Sequence, residues 1–389
     1  MKRGMGPRAF EPGYIGNIEI KNRLVRSATY ECGATGQGEV TDVLVNLYET
    51  LARGGAGLLI TGHTAVHEKG ISSTFMMRIC DDSFMPGLQK ITDAVHGVQN
   101  DCKVMVQLTH PGRQVRRPDI VEPVAPSALY DPYLRQTPRA LEVEEIDGLI
   151  EAFACAVMRA REAGFDGVQF HAAHGWLLSS FLSPHTNRRE DSYGGSTENR
   201  TRIVREICER SRKKVGRDFP LLIKINGNDY IPGGVDVAEA SRIACLLSMA
   251  GFSAIEVSGC MWETLTRSEE ELGWKPVPIP ESRVGVREKD KEAYFLPEAW
   301  EIKRNSTVPI ILVGGIRSLD TIEEILDAEA ADFCALCRPL IREPGLPAVW
   351  QQKGTEKSSS CISCNACVRN IIDPGGDKPV QCKVERAHS

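Results

Sequence analysis

Eight short β-branched runs recur along the chain, each followed by a stretch of helical period, and this alternation restricts the fold more than any other feature. Strands that alternate with helices pair in parallel, because the helix carries the chain back over the sheet before the next strand begins. The runs are Leu24–Ala28, Gly57–Thr61, Lys103–Leu108, Gly167–His171, Leu221–Asn226, Ala254–Ser258, Pro309–Val313 and Asp332–Leu336. The helical stretches between and after them are Asp42–Arg53, Pro86–Val98, Val143–Ala163, Asn199–Val215, Asp236–Ala250, Pro297–Asn305, Leu319–Ala328 and a shorter Gly345–Gln352. Eight such units close a (β/α)8 TIM barrel, whereas a doubly wound sheet would use fewer units or a second domain. The expected architecture is a barrel over residues 1–353 followed by a short C-terminal segment over 354–389.

A barrel directs attention to the loops that follow its strands. Two of them, Gly112–Leu141 and Cys260–Leu296, are too long for simple turns and are candidate walls of a substrate site. The charge balance, 47 Lys and Arg against 52 Asp and Glu, together with the lack of a basic run, argues against nucleic acid as a partner. No apolar stretch approaches the roughly 18 residues of a membrane span, and the opening MKRGMGPRAFEPG lacks the apolar core of a signal peptide. A cytoplasmic location is expected, and there 13 Cys call for packing, metal or redox chemistry rather than disulfides. Nine are scattered through apolar segments, as at Cys155 and Cys245, and read as small buried hydrophobes. The other four lie beyond a Lys-Ser-Ser-Ser stretch, Lys357–Ser360, that reads as a linker.

Those four are Cys361-Ile-Ser-Cys364-Asn-Ala-Cys367 and, after a loop, Cys382. Three thiolates spaced C-x2-C-x2-C with a distant fourth suit a 4Fe-4S cluster, while structural zinc more often uses two separated C-x2-C pairs. The second dense motif begins where the fourth strand ends: His171-Ala-Ala-His174-Gly-Trp176-Leu-Leu-Ser-Ser-Phe-Leu-Ser-Pro184, continuing to Asn187, Arg189, Asp191, Tyr193-Gly-Gly-Ser and Glu198-Asn-Arg200. An i, i+3 spacing on a helical turn would put both imidazoles on one face, where they can donate together to a developing oxyanion. Taken alone, two His are equally compatible with metal ligation or a satisfied core.

The full string resembles the signature of the old yellow enzyme family of FMN-dependent ene-reductases, which reads H-A/G-A-H-G-Y-L-x3-F-L-S-P-x2-N-x-R-x-D-x-Y-G-G-S-x-E-N-R. The resemblance runs from Ile15–Val25 to Arg338-Pro-Leu-Ile-Arg-Glu-Pro344. It implies FMN bound at the barrel mouth and hydride transfer between flavin N5 and the β-carbon of an activated C=C bond, with His171 and His174 holding the carbonyl oxygen. In the family, the segment matching Ser27, Ala28, Thr29 and Tyr30 lines the flavin; Gly62 matches a small residue beside the ring and Gln107 a pyrimidine ligand. Lys224 stands where the family has an Arg facing flavin N1 and O2, and keeps a cation there as a point charge. Gly314, Gly315, Cys337 and Arg338 match the phosphate loops after strands seven and eight, with Cys337 in place of a frequent Gly. Trp176 replaces the Tyr that protonates the substrate α-carbon, and an indole N–H is no practical acid. The resemblance therefore leaves three readings: a relocated donor such as Tyr30, Cys32 or His110, an oxidative reaction, or a larger substrate stacked on the indole.

The Cys-Ile-x-Cys-Asn string resembles the cluster segment of the barrel half of 2,4-dienoyl-CoA reductase and trimethylamine dehydrogenase, which implies Cys361, Cys364, Cys367 and Cys382 as ligands of a 4Fe-4S cluster. Those relatives continue into a dinucleotide-binding half, whereas here no G-x-G-x-x-G follows a strand before Ser389. Electrons are accordingly expected from NAD(P)H directly at the flavin, or from an electron-transfer protein through the cluster. Expected partners are a small unsaturated substrate and that protein, with homo-oligomer formation open. An oxidative flavoenzyme acting on amines or alicyclic rings, or an electron-transfer subunit, would share the same cofactor motifs.

Overall fold

The computed structural model describes residues 7–115, 121–354, 358–369 and 378–384. Parts of the first long connection (116–120), of the expected tail (355–357, 370–377 and 385–389) and of the opening (1–6) lie outside the described residues.

Strands β1 (Leu24–Arg26), β2 (Leu58–Ala65), β3 (Lys103–Thr109), β4 (Gly167–Ala172), β5 (Leu221–Asn226), β6 (Ala254–Ser258), β7 (Ile310–Val313) and β8 (Phe333–Leu336) close into a parallel barrel. Each neighbours the next in sequence, and β8 pairs with β1 through Ala335 and Val25. Around it run α1 (Asp42–Arg53), α2 (Met85–His96), α3 (Val143–Glu162), α4 (Arg202–Val215), α5 (Val237–Ala250), α6 (Leu296–Asn305), α7 (Leu319–Asp327) and α8 (Leu346–Lys353). Local chemistry sets their ends. The Asp236 carboxylate caps α5 by accepting from Glu239 N at 2.8 Å, and Gly251 ends that helix at φ 98°.

Because the strands are buried on both faces, the apolar residues divide into two layers. The larger lies between strands and helices. The smaller fills the bottom of the barrel with Val25, Leu58, Ile60, Met105, Leu222, Ala254, Ile311 and Phe333. Ile15 and Ile20 join it from a hairpin of Gly13–Ile15 with Ile18–Ile20, closing the lower end. Strands of three residues are too short to show an alternation, so the hairpin left no pattern to read.

Four expectations need correction. The second strand runs on to Ala65 through a register shift between Ile60 and His63. The stretch Asn199–Val215 is broken: Ser196 caps a short helix Thr197–Arg200, and α4 starts afresh at Arg202. Cys245 is exposed, since α5 turns Ile243, Ala244 and Leu247 inward and leaves position 245 on the outer side. Ser358–Ser360 is not a slack linker. Ser359 is buried, its N–H donating to Arg317 O at 2.8 Å and its hydroxyl to Glu343 Oε2 at 2.8 Å. Among the described residues no helix is long and apolar enough to cross a membrane.

Ile20 is fully buried in the barrel floor. Ile20→Ala is expected to lower unfolding stability by about 2–5 kcal/mol, read as a lower urea midpoint at unchanged slope. A loss below about 0.5 kcal/mol would mean that the hairpin does not seal the core.

Candidate active site

Side chains alternate along a strand, so the residues two positions beyond the apolar floor also point into the barrel. At that level the sequence changes character: Ser27 on the exit of β1, Gln107 on β3, Gln169 on β4, Lys224 on β5 and Glu256 on β6. They form one hydrogen-bonded chain. Gln107 Nε2 donates to Gln169 Oε1 at 2.6 Å, and Gln169 Nε2 donates to Glu256 Oε2 at 2.7 Å. Glu256 Oε1 accepts from Ser27 Oγ at 2.6 Å and pairs with Lys224 Nζ at 3.0 Å, while Nζ also donates to Ser27 Oγ at 3.1 Å. Glu256 is 0% and Lys224 5% exposed, and both carboxylate oxygens are occupied, which a buried charge requires.

Above this layer opens a cavity of about 680 Å³ at the C-terminal mouth. Of the cofactor and catalytic positions expected from the sequence, it is lined by Ser27, Ala28, Thr29, Tyr30, Gln107, His171, His174, Trp176, Lys224, Gly314, Gly315, Cys337 and Arg338. Gly62 is not among them. It lies behind the wall, where a Cβ would come within 2.1 Å of Glu31 Oε2 and 2.7 Å of Thr29 O. Of the alternative acids, Cys32 and His110 do not line the cavity.

The two mouth histidines are not on a helical turn. His171 belongs to β4, and His174 lies in the turn beyond it at φ 62°, a left-handed conformation that a non-glycine residue adopts at a cost. Asn226 Oδ1 holds that turn by accepting from His174 N at 3.0 Å. The rings still meet, 5.2 Å apart and edge to face. Their roles differ, however. His171 Nδ1 accepts from Ala173 N at 3.4 Å, which leaves Nε2 as the donating nitrogen. His174 Nε2 is engaged with Ser258 Oγ at 2.8 Å, and its Nδ1 faces Glu281 Oε1 at 3.7 Å. Burial holds both rings well below the usual imidazole range, so each is neutral at pH 7 and donates as N–H rather than as a cation.

Trp176 packs 5.3 Å from His171 and 4.8 Å from His63, and His63 stacks on Tyr30 at 4.7 Å. Burial pushes His63 down to about 3 and raises the Tyr30 phenol well above its usual value. Gly314 and Gly315 have φ 137° and 74°, and a Cβ on Gly315 would meet Tyr294 Cε1 at 2.6 Å, so glycine is required there. Among the cavity and floor residues not singled out from the sequence are His63, Gln169, Glu256 and Glu281. Gln169 and Glu256 had a signal, being polar residues inside strands otherwise apolar on both faces. Glu281 lies in the irregular β6–α6 connection, where no periodicity points anywhere.

The tail docks against this same mouth. Arg338 Nη1 donates to Asn365 Oδ1 at 2.6 Å and to Arg283 O at 2.7 Å, and Gly285 N donates to Ser363 O at 3.1 Å. Ser363, Asn365 and Val368 thereby become part of the cavity wall. On the other side of Arg338, Cys361, Cys364, Cys367 and Cys382 line one small cavity. Among the described residues, no three His, Cys, Asp or Glu side chains are placed to hold a single metal ion.

A closed parallel barrel with a buried polar floor and a deep mouth at the C-terminal ends of its strands has the layout of a TIM-barrel enzyme. A sequence model of the NADH:flavin oxidoreductase / NADH oxidase family matches residues 8–356, and the chain belongs to that family. NADH oxidase of Thermoanaerobacter brockii is 36% identical over 367 residues, 92% of this chain and 53% of that protein. A solved complex of 2-naphthoyl-CoA reductase with 2-naphthoyl-CoA superposes at TM-score 0.86 with 26% identity, over 96% of this chain and 56% of that one. Histamine dehydrogenase from Rhizobium sp. 4-9 superposes at TM-score 0.81 with 26% identity, over 96% and 52%. The chain thus spans about half the length of the curated relatives it matches first.

Replacing Glu256 by Gln would keep the amide chain but leave Lys224 buried without its counter-charge. A stability loss of about 3–5 kcal/mol is expected, partly recovered in the Glu256→Gln/Lys224→Met double variant. Additive losses in urea titrations of the four proteins would show the pair to be uncoupled.

Proposed function

We propose that the chain binds FMN at the barrel mouth and reduces an activated C=C bond of an enone, enoate or enoyl thioester. The observation that carries this reading is His171, a neutral imidazole left with Nε2 as its donor by the Ala173 N–H at Nδ1, in a cavity floored by the Gln107–Glu256 chain. The residues present fit the cofactor. Gln107 and Lys224 offer a donor and a cation to a pyrimidine edge, and Gly314 and Gly315, where a Cβ would collide with Tyr294 or Phe295, present bare backbone to the cavity. Bound FMN supplies hydride at N5, taken originally from NAD(P)H. The protein then holds the substrate carbonyl by N–H groups of His171 and His174, which strengthen as the oxygen gains enolate charge. With its charge shared with Glu256, Lys224 acts on the flavin as half of a dipole rather than as a bare cation.

The tail extends this reading. Cys361, Cys364, Cys367 and Cys382 would hold a 4Fe-4S cluster as a segment following the barrel from residue 354. Three thiolates spaced C-x2-C-x2-C and a distant fourth suit the separate corners of a cubane, whereas structural zinc more often uses two separated C-x2-C pairs. Arg338, which lines both cavities, would lie between the two cofactors. Single electrons from a protein partner in the cytoplasm could enter by that side. A dehydrogenating reaction is the second reading, supported by Trp176 in the acid's place and by the likeness to histamine dehydrogenase.

His171→Ala should lower enone-dependent NADPH oxidation by about 10²–10³-fold with FMN content unchanged, and undiminished turnover would defeat the oxyanion role. Anaerobically purified protein should carry about four iron atoms per chain, and a zinc-only result would remove the cluster.

A further inference from the structure

Reduction of a C=C bond needs a proton at the α-carbon, and Trp176 cannot give one. We propose that Glu281, from the β6–α6 connection, is the catalytic acid that delivers this proton; the assignment rests on the C=C-reducing reading above.

Position is the first ground. Glu281 lines the same cavity as His171, His174 and Trp176, and its Oε1 is 3.7 Å from His174 Nδ1. The α-carbon is bonded to the carbonyl carbon, so its donor must stand beside the carbonyl-binding pair. The second ground is an orphan oxygen. Glu281 Oε2 is shut off from solvent without a hydrogen-bond partner, although 27% of the side chain as a whole is exposed. A buried carboxylate oxygen with no donor is unfavourable, which favours the protonated carboxyl, and Oε1 is the oxygen turned toward His174. Third, the backbone is anchored on two sides. Tyr294 Oη donates to Glu281 O at 3.0 Å, and the neighbouring Ser282 Oγ accepts from Asn365 Nδ2 at 2.6 Å.

The other groups near the cavity are placed differently: Tyr30 stacks on His63, and its hydroxyl accepts from Ser73 Oγ. Burial lifts the Tyr30 phenol, lowers His63 and His110 to about 3, and keeps His171 and His174 neutral. Glu281 is the one carboxyl among the described residues lining the cavity. Burial also raises it to about 7, against the pull of Lys224 and Arg338. The remaining titratable neighbours, His174, Tyr294 and Cys260, are held neutral by burial.

The step balances as follows. Hydrogen with its electron pair arrives at the β-carbon, and the π pair passes to the α-carbon and carbonyl oxygen as an enolate. The Glu281 O–H proton then bonds to the α-carbon, and the resulting carboxylate regains a proton from water.

The test uses FMN-loaded protein, reduced anaerobically with dithionite and mixed with cyclohex-2-enone. In the wild type, flavin reoxidation should fall as pH rises through about 7, where the acid is lost. Glu281→Gln should reoxidise about 10²–10⁴-fold more slowly with no such limb, and Glu281→Asp should recover part of the rate. Cyclohexanone, which cannot react, should bind both variants within about 2-fold of wild type. Independently of turnover, the oxidised protein should show an infrared band of a protonated carboxyl that titrates near pH 7 and is absent from Glu281→Gln. Three results would overturn the assignment: unchanged reoxidation in Glu281→Gln, a carboxyl band already lost by pH 5 as the pH is raised, or weakened cyclohexanone binding with the pH limb intact, which would make Glu281 a positioning residue for His174. A wild type that cyclohex-2-enone fails to reoxidise would instead overturn the C=C-reducing reading, and the acid with it.

Discussion

The carboxylate of Glu256 lies at the centre of the barrel, and the organisation of the mouth depends on how its charge is satisfied. It accepts from Ser27 and Gln169 and pairs with Lys224, and through Gln169 it reaches Gln107. Five strands are thereby joined by side chains as well as by their backbone ladders. A buried ion pair seldom adds net stability, but once present it tolerates neither partner's loss and admits few alternative arrangements. The apolar floor beneath, sealed by Ile15 and Ile20, keeps water from competing for these bonds. Lys224 and Gln107 consequently reach the cavity with their orientations already set, which is the preorganisation that a flavin site needs.

Above that layer the chain trades regularity for function. His174 is held at positive φ by Asn226, and the turn it makes lets its ring meet that of His171 although the two do not share a helix face. The long β6–α6 connection brings Glu281 to His174, and the same connection holds the tail through Gly285 and Ser282. One loop thus shapes the substrate wall and fastens the cysteine segment. Changes in that segment should be felt in the mouth, because Ser363, Asn365 and Val368 belong to both.

Much of the fold was legible because parallel strands buried on both faces write continuous apolar runs, and amphipathic helices write a distinct period between them. The string from His171 to Arg200 and the spacing of the tail cysteines were equally plain, and the structure brings thirteen of the expected mouth residues around one cavity and the four thiols around another. What escaped was whatever depended on tertiary contact. The hairpin at Gly13–Ile20 is too short for a period, and Ser359 is ordered by Glu343 and Arg317 from elsewhere in the chain. Cys245 is as apolar in composition as its buried neighbours, and only the phase of α5 turns it outward. Glu281 could be found only once the loop that carries it was folded over the mouth.

Reductive and dehydrogenating chemistry would use the same cavity, and the direction of electron flow would separate them. Anaerobic mixing of the FMN-loaded protein, followed by its visible spectrum, addresses this directly. The account predicts that NADPH bleaches the flavin and that an enone such as cyclohex-2-enone then restores it, while histamine or a saturated ketone leaves the oxidised spectrum unchanged. Bleaching of the oxidised flavin by an amine or saturated compound alone, with no restoration by any enone, would contradict it.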